Sequence, residues 1–200
     1  MSHYYENDPN LDKTEFPISF TLQGKTFTLS SSAGVFSKEG LDTGTRILLN
    51  YLLEHAKPAL DVLDLGCGIG VVGVVLGTFW HCEVVGIDPN EQACHLAKKN
   101  YAAYHIQGDV LEQDHLDSGL YSCIVINPPI RTGKQVIYSL FEQCAKQLRP
   151  GGTLWVVIRK QHGGQSALDY LNSLGLKAMR VFRNKGFWIL EAKKEEEIQG

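Results

Sequence analysis

The sequence lacks the features of a secreted, membrane-spanning or metal-binding protein. No apolar run of signal-peptide type opens it, and no stretch approaches the length that crosses a bilayer. Its five cysteines are scattered and show no Cys-x-x-Cys spacing, and its seven histidines show no metal-ligand spacing. We therefore expect free cysteines in the core, no metal site, no membrane partner and a cytoplasmic protein.

A strong charge of either sign is also lacking. The 19 Lys and Arg residues nearly balance the 22 Asp and Glu residues, and the net charge is −3. Such totals give no strong nonspecific attraction to nucleic acid. A contact with RNA would then need a local basic patch, for which Lys13, Lys38, Arg131 and Lys134 are the candidates.

The composition, with 44% hydrophobic and 20% charged residues, is that of a globular domain large enough to bury a core. Residues 1–15 are polar and expected to be flexible, residues 16–194 form one predicted domain, and residues 195–200 form a charged tail. The charged segment Lys193–Gly200 is interpreted as a solvated helix end. The alternation of apolar and polar residues from Phe16 to Leu29, around Gln23-Gly24-Lys25, predicts a β-hairpin.

Apolar strands then alternate with amphipathic helices. Predicted strands cover 62–65, 83–87, 104–107, 121–126 and 153–158. The first predicted helix runs from Thr43 to near Pro58, the second from the end of the glycine loop through Leu76, and the third starts at Asn90. Two further helices are predicted over 137–148 and 166–174. Segments 177–182 and 187–192 form a closing hairpin. This order predicts an α/β fold, in which helices cover both faces of a mostly parallel sheet.

A glycine loop follows the strand at 62–65. Gly66, Gly68 and Gly70 lack a Cβ, so backbone N–H groups can approach a ligand at the electropositive start of the next helix. Residues 68–73 also match the G-x-G-x-x-G pattern of dinucleotide-binding enzymes, with Asp88 suitably placed after it. The spacing alone therefore leaves a dinucleotide open, although a buried Asp64 facing a pyrophosphate argues against it.

The sequence Asn127-Pro128-Pro129-Ile130 follows the apolar strand at 121–126. A nitrogen attached to an aromatic ring is a poor nucleophile because its lone pair is delocalised. The Asn127 amide oxygen and the Pro128 carbonyl could accept its two N–H groups and aim the lone pair, while the prolines fix the backbone. The motif thus predicts methyl transfer to such a nitrogen, and a plain proline turn is the alternative.

Together these motifs resemble those of class I methyltransferases, whose sheet is Rossmann-like and whose cofactor is S-adenosylmethionine. With Gly34–Lys38, Leu41–Arg46 and the closing Gly186-Phe187, the chain looks like the catalytic domain of bacterial 16S ribosomal RNA guanine-N2 methyltransferases, from roughly Tyr4 to Lys194. The resemblance implies methyl transfer to the N2 amine of a guanine in small-subunit ribosomal RNA, either free or in the subunit. Larger relatives carry an additional N-terminal domain, which we do not expect in this chain.

The resemblance also implies a set of cofactor-binding residues. These are Thr43, Thr45, Asp64, Gly66, Cys67, Gly68, Gly70, Asp88, Pro89, Asp109, Val110 and Asn127. Asp88 would accept from both ribose hydroxyls, and Asp109, placed where the third strand is predicted to end, from the adenine amine. The alternatives are a helix cap for Asp88, a turn residue for Asp109 and an N-cap role for Asp42 or Thr43.

On the target side, the residues implied to be catalytic are Asn127, Pro128, Pro129 and Ile130. Relatives with this motif have an aromatic fourth residue that stacks on the target, and here it is Ile130. Phe36, in a predicted lid with Ser37, could stack instead, or it could simply pack locally. Arg131 and Lys134 would contact RNA phosphates, or else be ordinary solvated loop residues.

Other functions remain open at this point. One is methylation of a protein glutamine or another small amine. A second is a dinucleotide-binding oxidoreductase, although the sequence offers no catalytic Tyr-x-x-x-Lys. A third is a cofactor-binding module without catalysis.

Overall fold

A computed structural model describes residues 12–35 and 40–198. The strands are β1 (Glu15–Leu22), β2 (Lys25–Ser32), β3 (Asp61–Leu65), β4 (Glu83–Asp88), β5 (Gly108–Glu112), β6 (Tyr121–Ile126), β7 (Leu148–Arg159), β8 (Lys177–Asn184) and β9 (Phe187–Lys193). The helices are α1 (Thr43–His55), α2 (Val71–Trp80), α3 (Glu91–Ala103), α4 (Lys134–Gln147) and α5 (Gly164–Ser173).

The main sheet has seven strands in the order β5-β4-β3-β6-β7-β9-β8. Strands β3 to β7 pair in parallel, and β9 runs antiparallel to both β7 and β8. Strands β1 and β2 form a separate antiparallel hairpin. The predicted α/β architecture, with its closing and N-terminal hairpins, is confirmed.

Helices cover both faces of this sheet. Successive side chains of a strand point to opposite faces, and apolar side chains are buried on each face. Val62 of β3 points into a cluster that contains residues of α1, α2 and α3 and of the N-terminal hairpin. Leu63 and Leu65 point into a second cluster, which α4 and α5 cover. All five cysteines are buried and free, as predicted.

Asn100 of α3 joins the N-terminal hairpin to the glycine loop. Its side chain accepts a hydrogen bond from Ser30 N (2.8 Å) and donates to Ser30 O (3.0 Å) and Ile69 O (2.8 Å). A buried amide whose polar atoms are all used fixes the three segments relative to one another. The hairpin therefore supports the loop that opens α2.

Two predicted elements were wrong. The third strand of the alternation lies at Gly108–Glu112 and not at 104–107, because α3 continues to Ala103 and His105 then adopts a left-handed φ of 53°. Within the described residues, the segment from Lys193 is not a helix end, since Lys193 belongs to β9 and residues 194–198 have no regular structure.

Tyr101 of α3 occupies space that three glycines leave open. A Cβ on Gly73 would lie 2.6 Å from Tyr101 Cζ, and Cβ atoms on Gly70 and Gly86 would lie 2.8 and 2.9 Å from the same side chain. The tyrosine therefore packs directly on the backbone of the glycine loop, of α2 and of β4.

We expect Gly73→Ala to lower the free energy of unfolding by about 1–3 kcal/mol, because the new methyl overpacks a rigid ring. Helix propensity alone would favour alanine by about 1 kcal/mol. Gly77→Ala is the control in the same helix, since its Cβ would meet only the half-buried aliphatic side chain of Ile106, at 2.9 Å from Cδ1 and 3.1 Å from Cγ2, and this side chain can shift more easily than a buried ring. Urea unfolding of both variants checks this, and equal stability would contradict the packing described.

Candidate functional site

A cavity of ≈ 730 Å³ opens at the carboxyl ends of the parallel strands. From the centre of the sheet, β3, β4 and β5 follow one another toward one edge, and β6 and β7 follow one another toward the other edge. Ligands of open α/β sheets bind where the strand order reverses in this way. Asp64 at the end of β3 and Asn127 after β6 both line the cavity at that position.

The glycine loop is held by the end of β4. Gly66 N and Cys67 N both donate to Ile87 O, at 2.7 and 2.9 Å. Gly68, with a φ of 54°, donates its N–H to Asp88 Oδ2 at 2.9 Å. An added Cβ on Gly66 or Gly68 would meet no protein atom within 4 Å, so the surface above the loop is open.

Asp88 shapes the site and is not the cap of α3. Its Oδ1 accepts from Asn90 N at 2.9 Å, while the Asn90 side chain caps the helix by accepting from Ala93 N at 2.9 Å. Burial raises the pKa of Asp88, and the hydrogen bonds from Asn90 and Gly68 oppose that rise. A carboxylate has about four acceptor positions, so two remain for a ligand.

Asp64 is buried, with a relative exposure of 4%, and its Oδ2 has no hydrogen-bond partner within the described part of the chain. Desolvation and the nearby Asp88 raise its pKa from 3.8 to about 7, against a hydrogen bond from the Gly73 backbone. A buried carboxylate oxygen without a partner costs free energy, so it suits a ligand that supplies a donor or a positive charge.

The raised pKa predicts a pH-dependent stability of the cofactor-free protein. The folded state favours protonated Asp64, so this contribution is complete below pH 3.8 and is lost as the pH rises to about 7. Between those two pH values, the free energy of unfolding of the wild type should fall by about 4 kcal/mol relative to that of Asp64→Asn, because residue 64 does not titrate in that variant. Urea unfolding across this range measures the difference, with the exposed Asp109→Asn as control. Parallel pH profiles of the wild type and Asp64→Asn would contradict the burial of this charge.

Asn127 is exposed to the cavity directly after β6. Its Nδ2 donates to Thr45 Oγ1 at 3.4 Å, and Thr45 N donates to Asp42 Oδ1 at 3.0 Å, so Asp42 is the N-cap of α1. Because the amide nitrogen faces Thr45, the amide oxygen of Asn127 remains available as an acceptor. After Pro129 the chain makes a short 3₁₀ turn, which Thr132 closes by bonding to Pro129 O through both N (2.9 Å) and Oγ1 (2.6 Å).

Most of the predicted site residues lie together around this cavity. Those that line it are Thr45, Asp64, Gly66, Cys67, Gly68, Asp88, Pro89, Asn127, Pro128, Pro129, Ile130 and Arg131. Phe36 and Ser37, together with Lys38 of the expected basic patch, lie outside the described residues.

Five predicted residues do not line the cavity. Asp109 is exposed near the start of β5 and Val110 is buried beside it, because the strand begins four residues later than predicted. Gly70 caps α2 against Tyr101. Thr43 lines a separate groove, and Lys134 starts α4 with its Nζ 5.5 Å from the Tyr138 ring centroid.

Several cavity residues were missed by the sequence reasoning. Gln113 and Asp114 follow the true end of β5. Arg159 ends β7, His162 lies in the short 3₁₀ turn after it, and Phe187 starts β9. Arg159 stacks on Phe187, with Cζ 4.2 Å from the ring centroid. A polar residue directly after an apolar strand was the signal used for Asn127, and it would also have found Arg159.

Within residues 12–35 and 40–198, no group of three or more His, Cys, Asp or Glu side chains could hold a metal ion. In the same part of the chain, no helix is long and apolar enough to cross a membrane.

The sequence relatives include methyltransferases and a protein without an assigned activity. The chain is 36% identical over 198 residues to the uncharacterized protein YbxB of Bacillus subtilis (strain 168), covering 96% of this chain and 98% of that one. It is 32% identical to ribosomal RNA large subunit methyltransferase G of Pseudoalteromonas translucida, covering 90% of this chain and 49% of the relative. It is 34% identical to ribosomal RNA small subunit methyltransferase C of Erwinia tasmaniensis, covering 76% of this chain and 45% of that relative. The chain thus spans about half the length of these two methyltransferases.

A solved structure and a family model also identify this chain as similar to methyltransferases. The T. thermophilus 16S rRNA N2 G1207 methyltransferase, solved in complex with AdoMet and guanosine, superposes with a TM-score of 0.80 at 25% identity, over 94% of this chain and 52% of that one. The family model of the methyltransferase small domain matches residues 26–191. This chain therefore belongs to the methyltransferase small domain family, and it is a class I methyltransferase whose cofactor is S-adenosylmethionine.

Proposed function

We propose that this protein methylates the exocyclic N2 amine of a guanine in small-subunit ribosomal RNA. The observation that carries the proposal is Asn127, whose amide oxygen is available at the carboxyl end of β6 while its nitrogen is held by Thr45 at 3.4 Å. An acceptor held in this way suits an amine that becomes cationic during the reaction. Relatives named as ribosomal RNA methyltransferases support ribosomal RNA as the substrate class.

The charge distribution along the cavity supports a polyanionic substrate. Its acidic side chains at the strand ends are Asp114 after β5, Asp88 on β4 and Asp64 on β3. On the other side of the strand-order reversal, Arg131 follows β6 and Arg159 ends β7. One half thus suits a cationic ligand, and the other half suits phosphates of a nucleic acid.

The acidic half fits S-adenosylmethionine, which supplies an electrophilic methyl group when it is bound. Asp64 offers an unpaired buried carboxylate oxygen for the cationic methionine end. Asp88 has acceptor capacity left for the ribose hydroxyls, and the open surface above Gly66 and Gly68 gives room for the ligand. Gln113 and Asp114 line the cavity and Asp109 does not, so we assign the adenine to Gln113 and Asp114.

On the substrate side, the chain positions the amine without a strong base. The Asn127 oxygen and the Pro128 carbonyl accept the N–H groups of the target amine, which turns its lone pair out of conjugation with the ring. Ile130 lines the cavity but cannot stack on the guanine through a π-face. The stacked pair of Phe187 and Arg159, 4.2 Å apart, supplies a flat surface in the same cavity.

The acceptor class can be tested with isotope-labelled S-adenosylmethionine and ribosomal particles from cells that lack this protein. Small subunits, large subunits and their extracted RNA would be incubated separately, and RNA and protein fractions counted. The proposal requires label in small-subunit RNA. Label in large-subunit RNA alone, or in a protein fraction alone, would refute it.

A further inference from the structure

A second groove of ≈ 250 Å³ lies between α1 and the β8–β9 hairpin. Thr43, Tyr51 and His55 line it from the helix, and Phe182 and Lys185 line it from the hairpin. None of these residues takes part in the cavity at the strand ends, so the groove is a separate feature.

The walls of the groove carry an aromatic cluster. The Tyr51 ring centroid lies 4.7 Å from that of His55 and 5.4 Å from that of Phe182. Phe182 lies on the edge strand β8 and is 38% exposed. Exposed aromatic rings beside a groove are the surfaces on which bases of single-stranded nucleic acids stack.

The charge of this region is opposite to that of the whole chain. The stretch Lys177–Lys185 contains Lys177, Arg180, Arg183 and Lys185 but no acidic residue, whereas the chain has a net charge of −3. Of these four cations, Lys185 alone lines the groove. Lys185 occupies the hairpin turn with a φ of 49° and lines the groove, opposite Arg46 of α1.

The carboxylate in the groove already has partners. Glu54 Oε1 accepts from Gln23 Nε2 at 3.0 Å, and Glu54 Oε2 lies 3.6 Å from His55 Nε2. The groove is lined by two cations, Lys185 and Arg46, against the one carboxylate Glu54, so its lining has a net positive charge that favours a phosphate. Arg46 Nη1 already donates to Thr21 O at 2.9 Å, which leaves Lys185 as the cation for the ligand.

The groove lies beside the proposed catalytic cavity. Thr43 lines the groove while Asp42 and Thr45 line the cavity, so the first turn of α1 separates the two. On the hairpin, Phe187 lines the cavity and Lys185 lines the groove. A chain whose target base enters the cavity can thus reach the groove with an adjacent nucleotide.

We propose that this groove binds a nucleotide that neighbours the target guanine in single-stranded RNA. Its base stacks on the exposed face of Phe182 beside Tyr51, and its phosphate pairs with Lys185. The proposal rests on the proposed function for the substrate class, and it adds the surface that holds the flanking sequence.

The stacking contact is tested by fluorescence anisotropy with a labelled single-stranded RNA of about 12 nucleotides, mostly uridine with one central guanine. Phe182→Ala should weaken binding about 10-fold, and Phe182→Tyr should restore it. Met179→Ala is the matched control, because Met179 is 57% exposed on the same strand but does not line the groove. Equal affinities of the wild type and Phe182→Ala would overturn the proposal, as would an equal loss in Met179→Ala. Thermal melting of each variant verifies folding.

The phosphate contact is tested by the salt dependence of the same binding. Lys185→Ala should reduce the slope of log K against log salt by about 0.7, the share of one phosphate contact in a single strand. Lys177→Ala serves as control, since Lys177 is paired with Glu195 at 3.2 Å at the far end of β8. An unchanged slope in Lys185→Ala would overturn the phosphate contact.

Methylation assays separate failure of the groove from failure of the proposed function. If small-subunit ribosomal RNA is methylated and Phe182→Ala has the wild-type KM, the groove proposal fails and the proposed function stands. If no RNA is methylated but Phe182→Ala still weakens RNA binding, the groove stands and the proposed function fails.

Discussion

Replacing Asn127 with Ala is expected to lower kcat by about 100-fold to 1000-fold, the usual effect of removing one preorganised polar group from a reacting centre. The Asn127 side chain lines the cavity and is oriented by Thr45, so its loss removes an acceptor without unfolding the strand end. We expect the KM for RNA to change little, because the interaction is needed most as the amine gains charge.

Two measurements make this prediction specific. Titration calorimetry should give the wild-type affinity of Asn127→Ala for S-adenosylmethionine, which shows that the cofactor half of the cavity is intact. Thr45→Val removes only the group that orients the amide and should cost less than Asn127→Ala. Wild-type turnover in Asn127→Ala would remove Asn127 from the mechanism.

Asp88→Ala is expected to weaken the binding of S-adenosylmethionine about 100-fold. The Asp88 carboxylate accepts hydrogen bonds from Gly68 N and Asn90 N, both at 2.9 Å, so its removal frees two backbone donors in the wall of the site. Hydrogen bonds to charged groups contribute about 1.5–3 kcal/mol each, and the proposed contacts to the ribose hydroxyls are lost as well.

The control for this experiment is Asp109→Ala. Asp109 was predicted from the sequence to bind the adenine, but it is exposed near the start of β5 and does not line the cavity. Its replacement should leave the dissociation constant at the wild-type value. An unchanged dissociation constant in Asp88→Ala would contradict the role of Asp88, and a large increase in Asp109→Ala would contradict the position of β5.

Most of the predicted site residues that lie at the cavity are those at the ends of correctly predicted strands. Asp64, Asp88 and Asn127 stand at or just after the ends of β3, β4 and β6, and the carboxyl ends of parallel strands meet at one edge. The same rule failed for Asp109. Tyr104 has a high β-propensity, yet it is the C-cap of α3. The helix is held in place by hydrogen bonds from Asn100 to Ser30 and Ile69, which are distant in the sequence.

Other misses have a geometric cause. Thr43 and Thr45 belong to the same sequence motif, but they are two residues apart on a helix, and such residues are rotated by about 200° around the helix axis. Thr45 therefore lines the cavity, whereas Thr43 lines the separate groove. Phe187 reaches the cavity only because β9 pairs antiparallel with β7, where it lies opposite Arg159. Such pairing joins residues far apart in the chain and leaves no local pattern.

The most direct test of the central claim is nucleoside analysis of small-subunit ribosomal RNA after incubation with the protein and S-adenosylmethionine. The account predicts that N2-methylguanosine forms with the wild type and is almost absent with Asn127→Ala, while both proteins bind the cofactor equally. A different methylated nucleoside, or the same amount of N2-methylguanosine from both proteins, would contradict it.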